Sequence, residues 1–189
     1  MDLRAMRVPF MAFAGRTIRY GMAMAGKRDW LDAGLVLLAE QGAPSVTIER
    51  LTERLGLSKG SFYHHFKGTT GYRTALLEHF ETERTTRFVE QAEAADGDRL
   101  GTLLKLVLTP GPGLGLEIAI RAWALQDAEA RAVQERVDRT RVAYLTEVSG
   151  DAGLAQALYL IVVGAGQVVP PLSGRELKSA LELVLGRRK

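Results

Sequence analysis

Apolar residues recur at helical spacing along most of the chain, and no segment alternates with the period of a strand. Trp30, Ala33, Gly34, Leu37 and Leu38 make a stripe with steps of three and four, predicting a helix from about Lys27 to Gln41 that Gly42 closes. Ile48, Leu51 and Leu55 repeat the pattern over 48–55, and Phe62 and Phe66 repeat it over Lys59–Phe66. A longer helix is predicted from Thr70 to Ala94, with Tyr72, Leu76, Phe80 and Phe88 on one side and Glu83 and Arg87 as an i, i+4 pair. Leu100–Leu108 and Leu114–Leu125 are apolar helices on either side of Thr109-Pro110-Gly111-Pro112-Gly113, the clearest break in the chain. Asp127 caps a helix to about Val148, Asp151 caps one to Val169, and Ser173 with Glu176 forms a capping box for a last helix that Gly186 ends. The expected fold is all-α with about nine helices.

Residues 47–66 carry the chemistry of a helix-turn-helix. Thr47 stands at an N-cap, Gly56 follows Leu55 where a left-handed residue ends a helix cheaply, and Ser58 caps the next helix. Two helices of about two turns joined by Gly56-Leu57-Ser58 match that motif, whose second helix usually enters the major groove of DNA. With Phe62 and Phe66 inward, Gly60, Ser61 and His64 point outward, and Lys59, Tyr63 and His65 flank them. That face has no acidic residue. Ser61 and His64 are placed to meet base edges, with Lys59, Tyr63 and His65 on phosphates and Gly60 allowing close backbone approach. The competing reading is a short solvated helix of a bundle.

GLSKGSFYHHFK resembles the recognition-helix signature of the tetracycline-repressor (TetR) family of bacterial transcription regulators. Ala33–Gly42 resembles that family's first helix with its closing glycine, and Val46-Thr47-Ile48 the start of its second; the likeness covers about residues 28–80. It implies DNA contacts by Thr47, Ser58, Lys59, Ser61, Tyr63, His65 and the loop beyond Phe66, and a C-terminal helical bundle that dimerises and binds ligand. There are departures. Thr69 stands where a lysine is common, leaving Lys67 to replace it; Gly68, Thr70 and Gly71 are atypical, and Thr52 stands where alanine is usual.

The 189 residues are 47% apolar, carry a formal charge of +3 and contain no cysteine, which excludes disulfides and thiolate metal sites. The basic excess lies in the leading segment: residues 1–28 hold six Arg/Lys against one Asp, whereas 29–67 hold four against five. The helix-turn-helix is therefore no basic patch, and its affinity must come from a few placed contacts, helix ends and the arm. Arg4, Arg7, Arg16 and Arg19 fit a DNA-touching arm. A start of translation at Met22 or Met24 is favoured over that arm, since such domains usually begin close to their first helix; a signal peptide is disfavoured because the apolar run Val8–Ala14 is short and followed by Arg16 and Arg19. The expected organisation is an extension over 1–26, a DNA-binding domain over 27–72, and a ligand-binding and dimerisation domain over 73–189.

Residues 154–172 are mostly apolar, but Gln156, Gln167 and Pro170-Pro171 make them too short for a membrane span, so a buried helix and a cytoplasmic protein are expected. The last two helices suit a homodimer, which would present two recognition helices to a pseudo-palindromic operator. Arg131–Arg141 alternates charge sign, the pattern of a solvated face. Leu104, Ile118, Trp123 and Tyr144 are the candidate ligand-pocket residues, with plain core packing as the competing role. No catalytic, metal or cofactor motif is present: Gly111-Pro112-Gly113-Leu114-Gly115 lacks the third glycine of a dinucleotide loop, and the adjacent His64 and His65 diverge on a helix. The sequence thus points to a non-enzymatic, ligand-responsive DNA-binding regulator, expected to repress until a small apolar effector releases it. A ligand-independent architectural DNA-binding protein is one alternative. A small enzyme or interaction bundle with a vestigial helix-turn-helix is the other.

Overall fold

A computed structural model describes residues 26–109 and 113–186. The basic arm, the alternative starts, Pro110-Gly111-Pro112 and the last three residues lie outside the described residues. Helices α1 (Lys27–Gln41), α2 (Ile48–Leu55) and α3 (Lys59–His65) precede α4, which runs through Gly68–Glu81, a π-helical stretch Thr82–Thr86 and Arg87–Glu93. Then come α5 (Arg99–Leu108), α6 (Gly113–Ala124), α7 (Ala128–Ser149), α8 (Ala152–Gln167) and α9 (Gly174–Gly186). Among the described residues there is no strand.

Side-chain caps set most boundaries. Carboxylates of Asp98, Asp127 and Asp151 accept from the backbone N–H of Gly101, Ala130 and Leu154 at 2.7–2.9 Å. Ser173 and Glu176 close a reciprocal box ahead of α9. The Asp98 cap starts α5 at Arg99.

The core runs without interruption from α1–α4 into the later helices. Trp30, Leu38, Leu51, Phe62, Tyr72 and Phe80 share one buried cluster with Leu116 and Ile120 of α6 and Val133 and Val137 of α7. Helix α6 lies against α1 at Gly115, where a Cβ would make ordinary contact, 3.6 Å from the Ala39 carbonyl oxygen. Arg73 extends the join outside the core, pairing with Asp127 at 2.6 Å while its guanidinium lies 4.9 Å from the Trp123 ring centre. A second apolar cluster, holding Leu158, Ala165, Leu177 and Leu181, packs α8 on α9 and α5.

The long α4 differs from a straight helix. Over eight residues an α-helix would turn Phe88 about 80° away from Phe80. The wider turn at Thr82–Thr86 takes up about one residue and reduces that rotation to roughly 20°. Phe80 lies under the Arg141 guanidinium and Phe88 lines a cavity that Arg141 also borders, so both face α7.

Two glycines separate packing from propensity. A Cβ on Gly34 would overlap the Tyr72 hydroxyl and meet Leu76 Cδ1 at 2.9 Å, whereas one on Gly71 meets nothing within 4 Å. Gly34→Ala is expected to destabilise by about 1–3 kcal/mol through overpacking, and Gly71→Ala to stabilise by roughly 0.5–1 kcal/mol through helix propensity. Urea denaturation midpoints of the two variants should move in opposite directions.

Candidate nucleic-acid interface and interior cavity

Local chemistry builds the two-helix unit. Thr47 Oγ1 accepts from Arg50 N–H and Ser58 Oγ from Ser61 N–H, each at 3.3 Å. Gly56 is left-handed (φ 66°), and the amides of Gly56 and Leu57 donate to the carbonyls of Glu53 (3.3 Å) and Thr52 (3.0 Å), a Schellman end to α2. Seven residues are too few for an isolated helix to persist in water, so α3 depends on its anchors. Phe62 is fully buried, with ring centres of Trp30, Phe66 and Tyr72 at 5.5, 5.1 and 5.3 Å. Tyr72 donates its hydroxyl proton to the Trp30 carbonyl at 2.8 Å. Phe66, expected inside the helix, instead caps it in an extended conformation and stacks edge-on against Tyr72 at 4.8 Å.

On the open side, Lys59, Gly60, Tyr63, His64 and Lys67 are exposed, and Thr47, Ser61 and His65 are partly so. Ser58 is exposed as well. A Cβ on Gly60 would meet only Ser58 Oγ at 3.6 Å, so nothing inside the fold requires glycine there. The nearby cations are largely tied down. Lys59 pairs with Glu49 at 2.5 Å, Arg54 with Glu40, and Arg50 bonds Gln41. Hydrogen bonding to Lys59 holds the Glu49 carboxyl below its ordinary range, and the same bond raises the lysine.

A cavity of about 510 Å³ lies among α4 to α9. Its walls are mainly apolar, among them Phe88, Leu104, Ile118, Leu158 and Val162, but one side carries charge. Arg141 donates to both Glu117 oxygens (2.7 and 3.0 Å), to Thr85 Oγ1 (3.0 Å) and to the Arg84 carbonyl (3.2 Å). Burial opposes the Arg141 charge, but Glu117 outweighs it and raises the guanidinium above its usual value. Arg121 binds both oxygens of Asp138 at 2.9–3.0 Å and donates to the Tyr159 hydroxyl at 2.9 Å. Burial and its hydrogen bond to Asp138 push Tyr159 up to about 12. Among the described residues no group of three or more His, Asp or Glu is arranged to hold a metal ion, and no single helix is long and apolar enough to cross a membrane.

Residues 31–71 match the family profile described as bacterial regulatory proteins, tetR family. The chain is 29% identical over 133 residues to HTH-type transcriptional repressor Rv1474c of Mycobacterium tuberculosis, spanning 63% of this chain and 68% of that one. It is 37% identical over 60 residues to transcriptional regulator AcuR of Cereibacter sphaeroides, spanning 32% of this chain and 27% of that one. In fold it is similar to a solved structure of a TetR/AcrR family member, with a TM-score of 0.73 and 21% identity over 84% of this chain and 96% of the other. The likeness to the TetR family lies in α1–α3 and the start of α4. The chain is a DNA-binding transcriptional regulator.

In this regulator Leu104, Ile118 and Tyr144 line the cavity. Trp123 does not: it is buried in the main core beneath Arg73. The alternating charges of 131–141 do not all face solvent. Arg136 and Arg139 are exposed, but Arg141 and Asp138 turn inward because the cavity and the α6 cations offer them partners. Arg84, Glu117, Arg121 and Arg141 were not singled out from sequence. The available signal was their position within otherwise apolar helices, most clearly for Glu117 and Arg121 in α6.

Because Glu49 neutralises Lys59, Glu49→Gln should free one cation at the start of α3. The slope of log K against log salt for duplex DNA should steepen by up to about 0.9, with tighter binding at low salt. An unchanged slope would show that Lys59 lies outside the phosphate contacts.

Proposed function

We propose that the protein is a cytoplasmic, non-enzymatic repressor that binds a pseudo-palindromic operator as a homodimer and leaves it when a small, largely apolar molecule occupies the cavity. The carrying observation is that α4 serves both ends. Its first half holds α3 through Tyr72, and its second half lines the cavity through Arg84, Thr85 and Phe88. A ligand favouring one setting of α4 therefore biases the setting of α3, which is a population shift. The boundary near residue 72 divides roles along a shared core. Leu160 of α8 and Leu183 of α9, each 58% exposed, supply the apolar faces for the dimer.

At the operator, Ser61 and His64 read base edges, Gly60 admits the backbone, and Thr47, Ser58, Lys59, Tyr63, His65 and Lys67 position the unit on phosphates. An architectural role is less well supported, because the cavity has no place in it.

Electrophoretic mobility shifts on duplexes spanning the DNA beside the gene test this reading. Tight binding at low salt is expected to at least one duplex, and none to any would contradict local control. On a bound duplex, alanine at Tyr63 or Lys67 should weaken cognate and unrelated sequences alike. Alanine at His64 or Ser61 should cost about 1–3 kcal/mol on the cognate site and relax preference at one base pair. Equal losses on every sequence from all four would overturn the assignment of the groove face.

A further inference from the structure

The cavity holds one more cation than its carboxylates satisfy. Arg121 is matched by Asp138, and Arg141 takes both oxygens of Glu117. Arg84 borders the same cavity and has no carboxylate partner among the described residues. Its Nε is buried and makes no hydrogen bond, and its guanidinium lies 4.8 Å from the Phe88 ring centre. Burial pulls its pKa below the ordinary value; Glu117 counters this in part and the like charge of Arg141 adds to it. A desolvated cation without a counter-ion is costly in a folded protein.

Two further features mark this place. A Cβ on Gly113 would run into the Arg84 guanidinium, so that guanidinium sits at the N-terminal end of α6, where the helix dipole also favours an anion. Arg84 also lies within the π-helical stretch of α4, a local widening often found at functional sites. Most of the remaining wall is apolar, and the volume suits a small organic ligand.

We propose, building on the reading of this cavity as the effector site, that it selects monocarboxylates with an apolar body, the carboxylate pairing with Arg84. The tail lies against Phe88, Leu104, Ile118 and Val162. Recognition is a fork between guanidinium and carboxylate, which an uncharged amide of the same shape does not form. The ligand supplies the hydrogen-bonded counter-ion that Glu117, bonded to Arg141 through both oxygens, does not give Arg84.

Isothermal titration calorimetry on the full chain tests this with octanoate, decanoate and hydrocinnamate, each against its own primary amide. At least one acid should bind tighter than its amide by about tenfold or more. Arg84→Gln should abolish that difference while amide affinity persists, which also shows that the variant is folded. Arg84→Lys should keep part of it. Equal binding of every acid and its amide, or an acid preference that survives Arg84→Gln, would overturn the role of Arg84 and leave the cavity reading standing. Absence of binding by all three acids would overturn the proposal. Acid binding that survives Ile118→Trp would place the ligand elsewhere and overturn the cavity reading with it.

Discussion

Phe62 has nowhere to go but between Trp30, Phe66 and Tyr72, and the placement of α3 depends on that burial. Helix α3 is too short to hold its own hydrogen bonds against water. The Ser58 cap contributes on the order of 1 kcal/mol, whereas a buried phenylalanine ring is worth about 3–5 kcal/mol by truncation. Packing therefore decides where the outward face of α3 points. Because Tyr72 belongs to α4 and Trp30 to α1, that direction is set by helices whose other sides are buried against α6 and α7.

The same constraint joins recognition to the cavity. Buried interiors are dense and transmit displacement instead of absorbing it. A shift of α4 at Arg84 or Phe88 therefore has consequences at Tyr72, and Gly34 leaves little room for Tyr72 to move independently. Polar ties between α4 and α7, Arg73 to Asp127 and Arg136 to Glu81 (2.6 and 2.7 Å), hold the two helices in step. These pairs are partly exposed and each contributes little to stability. Their geometry still fixes which turn of α4 faces which turn of α7.

Much of this was legible in the chain. The stripes of α1, α2 and α3 and the caps at Thr47, Ser58, Asp127, Asp151 and Ser173 are local signals, and local chemistry determines them. The missing features are those that need a partner distant in sequence. The π turn in α4 corrects the register of Phe88 against α7, and nothing within 82–86 announces it. Arg141 looked solvated because its neighbours Arg136 and Arg139 are; Glu117, 24 residues earlier, draws it inward. Trp123 shares an apolar helix with Ile118, but one face of α6 serves the cavity through Ile118 and another serves the core. Arg54, Arg50 and Lys59 are held by Glu40, Gln41 and Glu49, partners 9 to 14 residues away that no local pattern announces.

Helices α1–α3 and the cavity helices are expected to open as one body through the Trp30–Phe62–Tyr72 contact. Native-state hydrogen exchange as a function of denaturant measures this directly, amide by amide. The slowest amides of α1 and α3 should share the opening free energy and denaturant dependence of those in α6 and α7. A separate sub-global opening of α1–α3, several kcal/mol below the global one, would contradict the account.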